Sequence, residues 1–476
     1  IAIIIGVMAS VIYELKMNEL PLDDKLTYDL ISKAETFGIF QLESQGMRNL
    51  LLKMKPYCFN DIVAAIALYR PGPMENIPLY LKRRQKEESI TYPLKELEPI
   101  LSSTYGIMIY QEQIMMISTV LAGFSLGKAD ILRKAISKKQ VSLMKSMRED
   151  FVLGCIKNGY SEDKAIEVYD LIEKFANYGF NKSHSVAYAY VAYQLAYLKA
   201  NYPLYFFAAI LSNELSSETT KIHCIQECRG YNVKVLGPSI NKSYKRFMVE
   251  GNCIRYSLLA IKNVGIAAYQ AIVEERELNG EYKDFFDFMM RTDEYGISKK
   301  VIESLIDAGA FDEFENGRKD LLMNYDRIKD YCHLKKTLGI DEKPIFLLSK
   351  EDEKERLERE KDVLGLYLSM HPIEFYKNKI SYKYIHLSSL YDYINKQVNI
   401  VIQIQRVKTI VDKNGHDMCF IEGIDETGSV EGVIFSSVYK SSAGMVKKGN
   451  ICLMNGKVNF KDKISFVVDK IMVINE

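Results

Sequence analysis

The sequence predicts a multidomain protein, mainly α through its first three quarters and ending in an all-β barrel of OB type. Three observations predict it. Apolar residues recur at helical spacing from Leu20 to about Glu214 and again from Ala260 to about Leu338. From about Gln397 the pattern changes to five strand-length runs, VNIVIQIQRVKTIV, DMCFIEGID, SVEGVIF, GNICLMNGKVNF and KISFVVDKIMVI, separated by turns such as DKNG and DETG. Five strands in so short a stretch suit an OB-type barrel. Finally, 476 residues exceed what one hydrophobic core serves, so about two to four domains are expected.

Taken in order, the opening run IAIIIGVMASVIYEL is apolar for about a dozen residues, short of the roughly 20 that span a bilayer, and it lacks the basic start of a signal peptide. It reads as a buried strand or helix start. Because the chain opens on Ile rather than Met, it is expected to be a piece of something longer. RPGP (70–73), STYG (103–106) and NYP (201–203) punctuate the first helical stretch. Between Val233 and Leu258 the alternating runs KVLGPSIN and FMVEGNCIRYSL, with a turn at Glu250 to Asn252, predict a small hairpin. The mixed-sign run SKEDEKERLEREKD, Ser349 to Asp362, predicts a solvated helix laced with i,i+4 pairs and bridging two domains.

Hydrophobic content of 48% with 26% charge excludes disorder over most of the length. A net charge of +1, from 63 basic and 62 acidic residues, still leaves room for segregated patches that bind nucleic acid. Eight cysteines without paired spacings fit a reducing cytoplasm. The C-x3-C pair beside His223, in HCIQECRG, has no second pair at ligand distance and reads as a buried helical face.

Two segments carry candidate chemistry. KADILRKAISKKQVSLMKSMR holds seven Lys or Arg and one Asp, and on one helix Lys134, Lys138 and Lys145 would share a face able to grip phosphates. The alternative is an ordinary exposed cationic helix. In YGFNKSHS, Lys182 offers a point charge, His184 a donor that titrates near neutrality, and Asn181, Ser183 and Ser185 short hydrogen-bonding arms, a set suited to a polyphosphate. The alternative is a helix N-cap made by Ser183 or Ser185, with His184 merely packed. Tyr190, Tyr193 and Tyr197, at helical spacing, read as a packed face.

In order, FGIFQLESQGM, IALYRPGP, YGIMIYQEQIM, LGKADILRKAISKK and FANYGFNKSHSVAYAYVAYQLAYLKANYP resemble the fingers of the bacterial DNA polymerase III alpha-subunit family, the C-family replicative DNA polymerases. AIKNVGIAAYQAIVEER resembles the family's helix-hairpin-helix segment, LIDAGAFD its second hairpin, and VLGLYLSMHP the segment before its OB domain. The resemblance implies a fingers domain over 1–230, a helix-hairpin-helix and clamp-binding domain with connector over 231–375, and an OB domain over 395–476.

It also implies residue roles. Arg133, Lys134, Lys182 and His184 would face the triphosphate of the incoming dNTP, with Arg70, Gln111, Lys138 and Asn181 as further fingers candidates. Lys262, Asn263 and Gly265 would grip DNA at the hairpin turn, where Asn263 stands for the family's first glycine and tolerates left-handed backbone. An αα-hairpin that only packs is the alternative. In EKPIF, Ile345 and Phe346 would fill the sliding clamp's pocket and Glu342 replaces the usual glutamine, or the segment is a plain loop. Arg406, Lys408 and Lys413 would meet single-stranded template.

Family polymerases hold Mg2+ on palm aspartates upstream of the fingers. No counterpart is visible, Asp23 and Asp24 reading as solvated carboxylates, so this chain alone is not expected to polymerise. The partners implied are primer-template DNA, dNTP, the sliding clamp and other polymerase III holoenzyme subunits, in the cytoplasm and without a membrane. The rival readings are a non-catalytic DNA-binding module whose helical part is scaffold, and the error-prone paralogue of the same family.

Overall fold

Caps and apolar spacing coincide at the first helices. In the computed structural model, which describes residue 17 and residues 19–137, 140–176, 180–215, 217–339, 342, 344–413, 415–460 and 464–474, helix α1 (Lys25–Ser32) begins at Asp24. The Asp24 carboxylate accepts the Thr27 N–H at 2.8 Å and the Asn201 amide at 3.1 Å. Burial pushes its pKa up, but these bonds outweigh burial and hold it below the ordinary value. Asp24 is thus a half-buried cap, not the solvated carboxylate that PLDDK suggests. The apolar opening run and Lys138 lie outside the described residues.

The chain divides into two units, one reaching to Tyr202 and the other starting at Pro203. In the first, α1 is followed by α2 (Gln45–Met54), α3 (Phe59–Leu68) and α4 (Ile77–Arg84). Helix α3 is buried nearly all round and carries Asp61, whose carboxylate pairs with the Arg84 guanidinium (Nη2 to Oδ2, 2.9 Å) where both side chains are almost fully buried. Helices α5 (Gln111–Ala122), α6 (Leu126–Ser137), α7 (Val141–Lys157) and α8 (Glu162–Ala176) share a core that includes Ile114, Ile117, Leu132, Phe151, Tyr169 and Ile172. Helix α7 crosses the end of α5 so closely that a Cβ on Gly154 would lie 2.3 Å from the Ala122 carbonyl oxygen.

The basic run is therefore not one helix. The Gln140 N–H turns back to the Ala135 carbonyl at 2.9 Å, and α7 starts afresh with Met144 N–H on Gln140 O. Both helices must turn apolar residues, Leu132 and Ala135 on one and Met144 and Met147 on the other, into the same core. Lys145 thus sits on α7, apart from Lys134 on α6, and the expected single lysine face fails.

Helix α9 (Lys182–Asn201) packs on α1 and α3. Its tyrosine face is packed as the spacing predicts: Tyr193 is fully buried and donates to the Pro21 carbonyl at 2.6 Å, and Tyr190 donates to Met17 O at 3.3 Å.

The second unit opens with α10 (Pro203–Asn213) and α11 (Glu218–Gly230), on which Cys224 and Cys228 are fully buried as expected. Strands β1 (Lys234–Leu236), β2 (Met248–Glu250) and β3 (Cys253–Arg255) form a small sheet in the order β1-β3-β2, with the β2–β3 hairpin turning at Gly251. Helices α12 (Ile266–Asn279), α13 (Phe285–Thr292), α14 (Lys299–Asp307) and α15 (Arg318–Leu338) follow, then α16 (Glu353–Leu364). The charged run forms α16 with an i,i+4 pair between Arg359 and Glu355 at 3.1 Å. It is not solvated all round, because Leu357 and Glu360 are buried and Glu360 meets Arg318 at 3.0 Å.

The barrel uses β4 (Gln397–Val411), β5 (Asp417–Ile424), β6 (Ser429–Ile434), a short helix α17 (Ser436–Ser442), β7 (Ile451–Phe460) and β8 (Ile464–Val473). It closes in the order β4-β5-β6-β8-β7, with β6 and β8 parallel and the other neighbours antiparallel. Inward residues such as Ile402, Ile404, Ile421, Val458 and Phe466 fill it. The outward Val401, Ile451 and Leu453 are covered by Ile373 and Tyr376 from the segment before the barrel.

That segment begins at His371, which is buried and accepts the Ile373 N–H on Nδ1 at 3.3 Å. Burial, with Arg229 and Lys361 nearby, pushes the imidazole down to about 3. The folded state keeps it neutral, whereas the unfolded chain protonates it near its ordinary value. Its contribution is therefore present above about pH 6.5 and is lost as pH falls toward 3. Between pH 6.5 and pH 5 the second unit should lose about 2 kcal/mol from this group. His371→Asn, which keeps a cap acceptor, should remove that slope in denaturant unfolding measured across pH; an unchanged slope would refute the assignment.

Candidate functional site

Residues 109–111 and Phe180 pair like two short strands. Tyr110 bridges Phe180 in parallel, the Gln111 N–H donates to Phe180 O at 3.0 Å, and the Phe180 N–H donates to Ile109 O at 3.3 Å. This sets the N-termini of α5 and α9 side by side, with the positive ends of both helices adjacent. Asn181 caps α9, its Oδ1 accepting the His184 N–H at 2.9 Å, and the Lys182 N–H meets both oxygens of Glu112 at 3.0 and 3.1 Å. The cap is neither Ser183 nor Ser185. Ser185 is fully buried and donates to Val63 O at 2.6 Å, which pins α9 to α3.

Around this junction the cations and rings gather. The Arg70 guanidinium lies 4.6 Å over the Phe180 ring, His184 stands edge-on to Phe180 at 5.5 Å, and Tyr188 follows His184 at 3.9 Å with Phe40 5.2 Å beyond. Lys182 places its ammonium 5.5 Å over Tyr110. From α6, Arg133 Nη1 donates to Gln111 Oε1 at 3.1 Å, and Arg133 and Lys134 share Asp130 at 2.8 Å each. Hydrogen bonds from Lys134 and Arg133 hold the Asp130 carboxyl below its ordinary range.

The structure thus brings Arg70, Gln111, Arg133, Asn181, Lys182 and His184 together, with Lys134 joined through Asp130. Lys182 and His184 are exposed, so their donors are accessible. Forked guanidinium donors, a mobile ammonium and an imidazole at one face suit phosphoryl oxygens. The sequence reading left out Phe180, the ring on which Arg70 and His184 meet, and Tyr188, although Tyr188 sits one helical turn after His184.

In the second unit Asn263 adopts φ +68, and its amide donates to Ser304 Oγ at 2.9 Å. Gly265 precedes α12 and a Cβ there would meet open space, while the Lys262 side chain is exposed. The segment after α15 is tied down through its backbone: Asn324 exchanges two hydrogen bonds with Leu347, at 2.8 and 2.9 Å, and the Ser349 N–H donates to Asp320 at 2.8 Å. Ile345 and Leu348 are then 83% and 78% exposed, Glu342 is exposed, and Phe346 turns onto the Phe286 ring at 6.3 Å. The expected pair Ile345 and Phe346 is therefore split, and Leu348 joins Ile345 on the outer side.

On the barrel Arg406 and Lys408 are exposed on β4, opposite Glu422 and Phe420 of β5, and Lys413 lies in the turn between the strands. Phe420, 40% exposed, is an aromatic beside Lys408 that the sequence reading passed over.

A helical unit, a helix-hairpin-helix region and a closed five-stranded OB-type barrel define a multidomain chain of the kind built around nucleic-acid-binding modules. The family profile for the bacterial DNA polymerase III alpha subunit finger domain matches residues 4–159, and that for the helix-hairpin-helix motif matches residues 232–321. DNA polymerase III subunit alpha of Bacillus subtilis (strain 168) is 40% identical over 476 residues, covering 97% of this chain and 43% of that protein. The Aquifex aeolicus (strain VF5) protein of the same name is 39% identical over 468 residues, 96% of this chain and 40% of its own length. Over nearly its whole length the chain is similar to bacterial DNA polymerase III alpha subunits, and it spans about two fifths of the length of these relatives.

The carboxylates beside the gathered cations do not fit the Mg2+ ions of a polymerase. Asp130 is committed to Arg133 and Lys134, and Glu112 to the Lys182 backbone. Among the described residues the first unit has no cluster of three metal-ligating groups. No described helix is long and apolar enough to cross a membrane.

Proposed function

We propose that this chain supplies the dNTP and DNA contacts of a template-directed DNA polymerase, with fingers over 1–230, a helix-hairpin-helix and clamp-binding region over 231–375 and an OB domain over 395–476. The observation that carries the reading is the convergence of Arg70, Arg133, Lys182 and His184 on Phe180 and its paired strand. Phosphoryl transfer depends on positioning and on charge placed beside the transferring group, and these side chains offer both to a triphosphate. Arg133, already held by Gln111 and Asp130, binds phosphate oxygens with little ordering left to do. Lys182, anchored by its backbone on Glu112, holds an exposed ammonium over Tyr110. The exposed turn at Lys262, Asn263 and Gly265 would take a DNA phosphate on its backbone, and Lys408 with Phe420 and Lys413 a single strand. Ile345 with Leu348 forms the apolar strip offered to a clamp.

Arg133→Ala and Lys182→Ala should each weaken binding of tripolyphosphate and of dATP by about 10- to 100-fold while leaving duplex DNA binding nearly unchanged. Equal losses for duplex and triphosphate would overturn the assigned roles. Duplex binding with no triphosphate binding by the parent chain would favour the non-catalytic DNA-binding module instead.

A further inference from the structure

We propose that His386, Asp425 and Glu426 form a zinc site that staples the segment before the barrel to the β5–β6 turn. His386 Nδ1 lies 3.3 Å from Glu426 Oε1 and 3.8 Å from Asp425 Oδ2, and one ligand atom from each residue falls within 4.8 Å of the others. Zinc bonds of about 2.0–2.2 Å in a tetrahedron set ligand atoms about 3.3–3.6 Å apart, whereas an octahedral ion with bonds near 2.1 Å sets neighbouring ligands at about 3.0 Å. The His386–Glu426 separation falls in the tetrahedral range, and that from His386 to Asp425 is a few tenths of an ångström longer. A nitrogen ligand with two carboxylates also favours zinc over the oxygen-seeking calcium and magnesium.

The ligands are oriented from outside the triad. Ile385 pairs with Ile400, its N–H donating to Asn399 O at 2.9 Å, which fixes the residue before His386. Asp425 is buried; its Oδ1 accepts the Thr427 N–H, the Thr427 hydroxyl and the Gly428 N–H at 2.6–2.7 Å. Oδ2 accepts only the Leu387 N–H among these, at 2.8 Å, and it is the oxygen turned to the imidazole. Hydrogen bonds that fix a ligating carboxylate in this way are what raises metal affinity. His386, 46% exposed in its side chain, leaves the fourth position to water.

The test titrates the chelator-stripped chain with Co2+, whose visible absorption is intense when tetrahedral and weak when hydrated. One intense Co2+ per chain, displaced by Zn2+, is expected. His386→Gln and Glu426→Gln, both at partly exposed positions, should each weaken it by at least about tenfold with circular dichroism unchanged. His416→Gln, beside Asp412 in another turn, should leave it intact. Zinc should also raise the thermal midpoint of the parent chain but not that of His386→Gln. A hydrated-type spectrum, or equal binding by the parent and His386→Gln, would overturn the site.

Discussion

Replacing Arg318 by alanine should destabilise the second unit by about 3–5 kcal/mol, because it strands a charge in the interior. The Arg318 side chain is 7% exposed and that of Glu360 1%. The guanidinium reaches Asp307 O at 2.7 Å, Glu360 at 3.0 Å and Asp312 at 2.6 and 2.8 Å, so it joins the end of α14 to α16. Burial alone would lower its pKa, yet Asp312 and Glu360 outweigh that and raise it. Glu360 also accepts the Leu368 and Ser369 N–H groups at 2.9 and 2.8 Å and the Ser369 hydroxyl at 3.0 Å; without the cation those neutral donors must carry its charge. Gly309, at φ +82, makes room for the arrangement, since a Cβ there would lie 2.2 Å from the guanidinium. Urea unfolding followed by circular dichroism checks the figure. Arg318→Met combined with Glu360→Gln should recover part of the loss, and a single-variant loss below about 1 kcal/mol would show that the pair does not hold α14 to α16.

Asp61→Ala should be comparably severe in the first unit, about 3–5 kcal/mol, for the converse reason that Arg84 loses its anion. Arg84 is also held by the Met54 carbonyl at 3.2 Å and lies 4.8 Å over the Tyr57 ring, so it cannot withdraw to water without uncovering the α3–α4 junction. Asp61 itself accepts the Tyr57 N–H at 3.0 Å. Because α3 also receives Ser185 of α9, loss of the pair should loosen the start of α9 and lower triphosphate affinity along with stability. Hydrogen exchange read by mass spectrometry resolves the units: faster exchange confined to residues before Tyr202 is expected, and protection unchanged there would refute the coupling.

What the sequence made legible follows the range of the forces involved. The barrel strands were readable because alternation is a local signal, and β4 to β8 fall on the quoted runs. The basic segment was misjudged because its break is set by a core shared between α6 and α7, which periodicity within either helix does not register. The charged run hid Glu360 because its partner Arg318 lies 42 residues away in the chain. At the candidate site the motif residues were legible as a set, but Phe180 entered the reading only as a letter between them. An aromatic ring that organises cations has no spacing signature of its own.

The strip from Ile345 to Ser349 separates two tasks that most segments combine. Its attachment runs through main-chain atoms of Leu347 and Ser349, met by Asn324 and Asp320, and through the Phe346 ring on Phe286, while the side chains of Ile345 and Leu348 stay largely exposed. For the proposed clamp contact, substitutions at 345 and 348 would change partner preference without a stability threshold to cross, so an interaction made here could be rewritten while the fold is inherited unchanged.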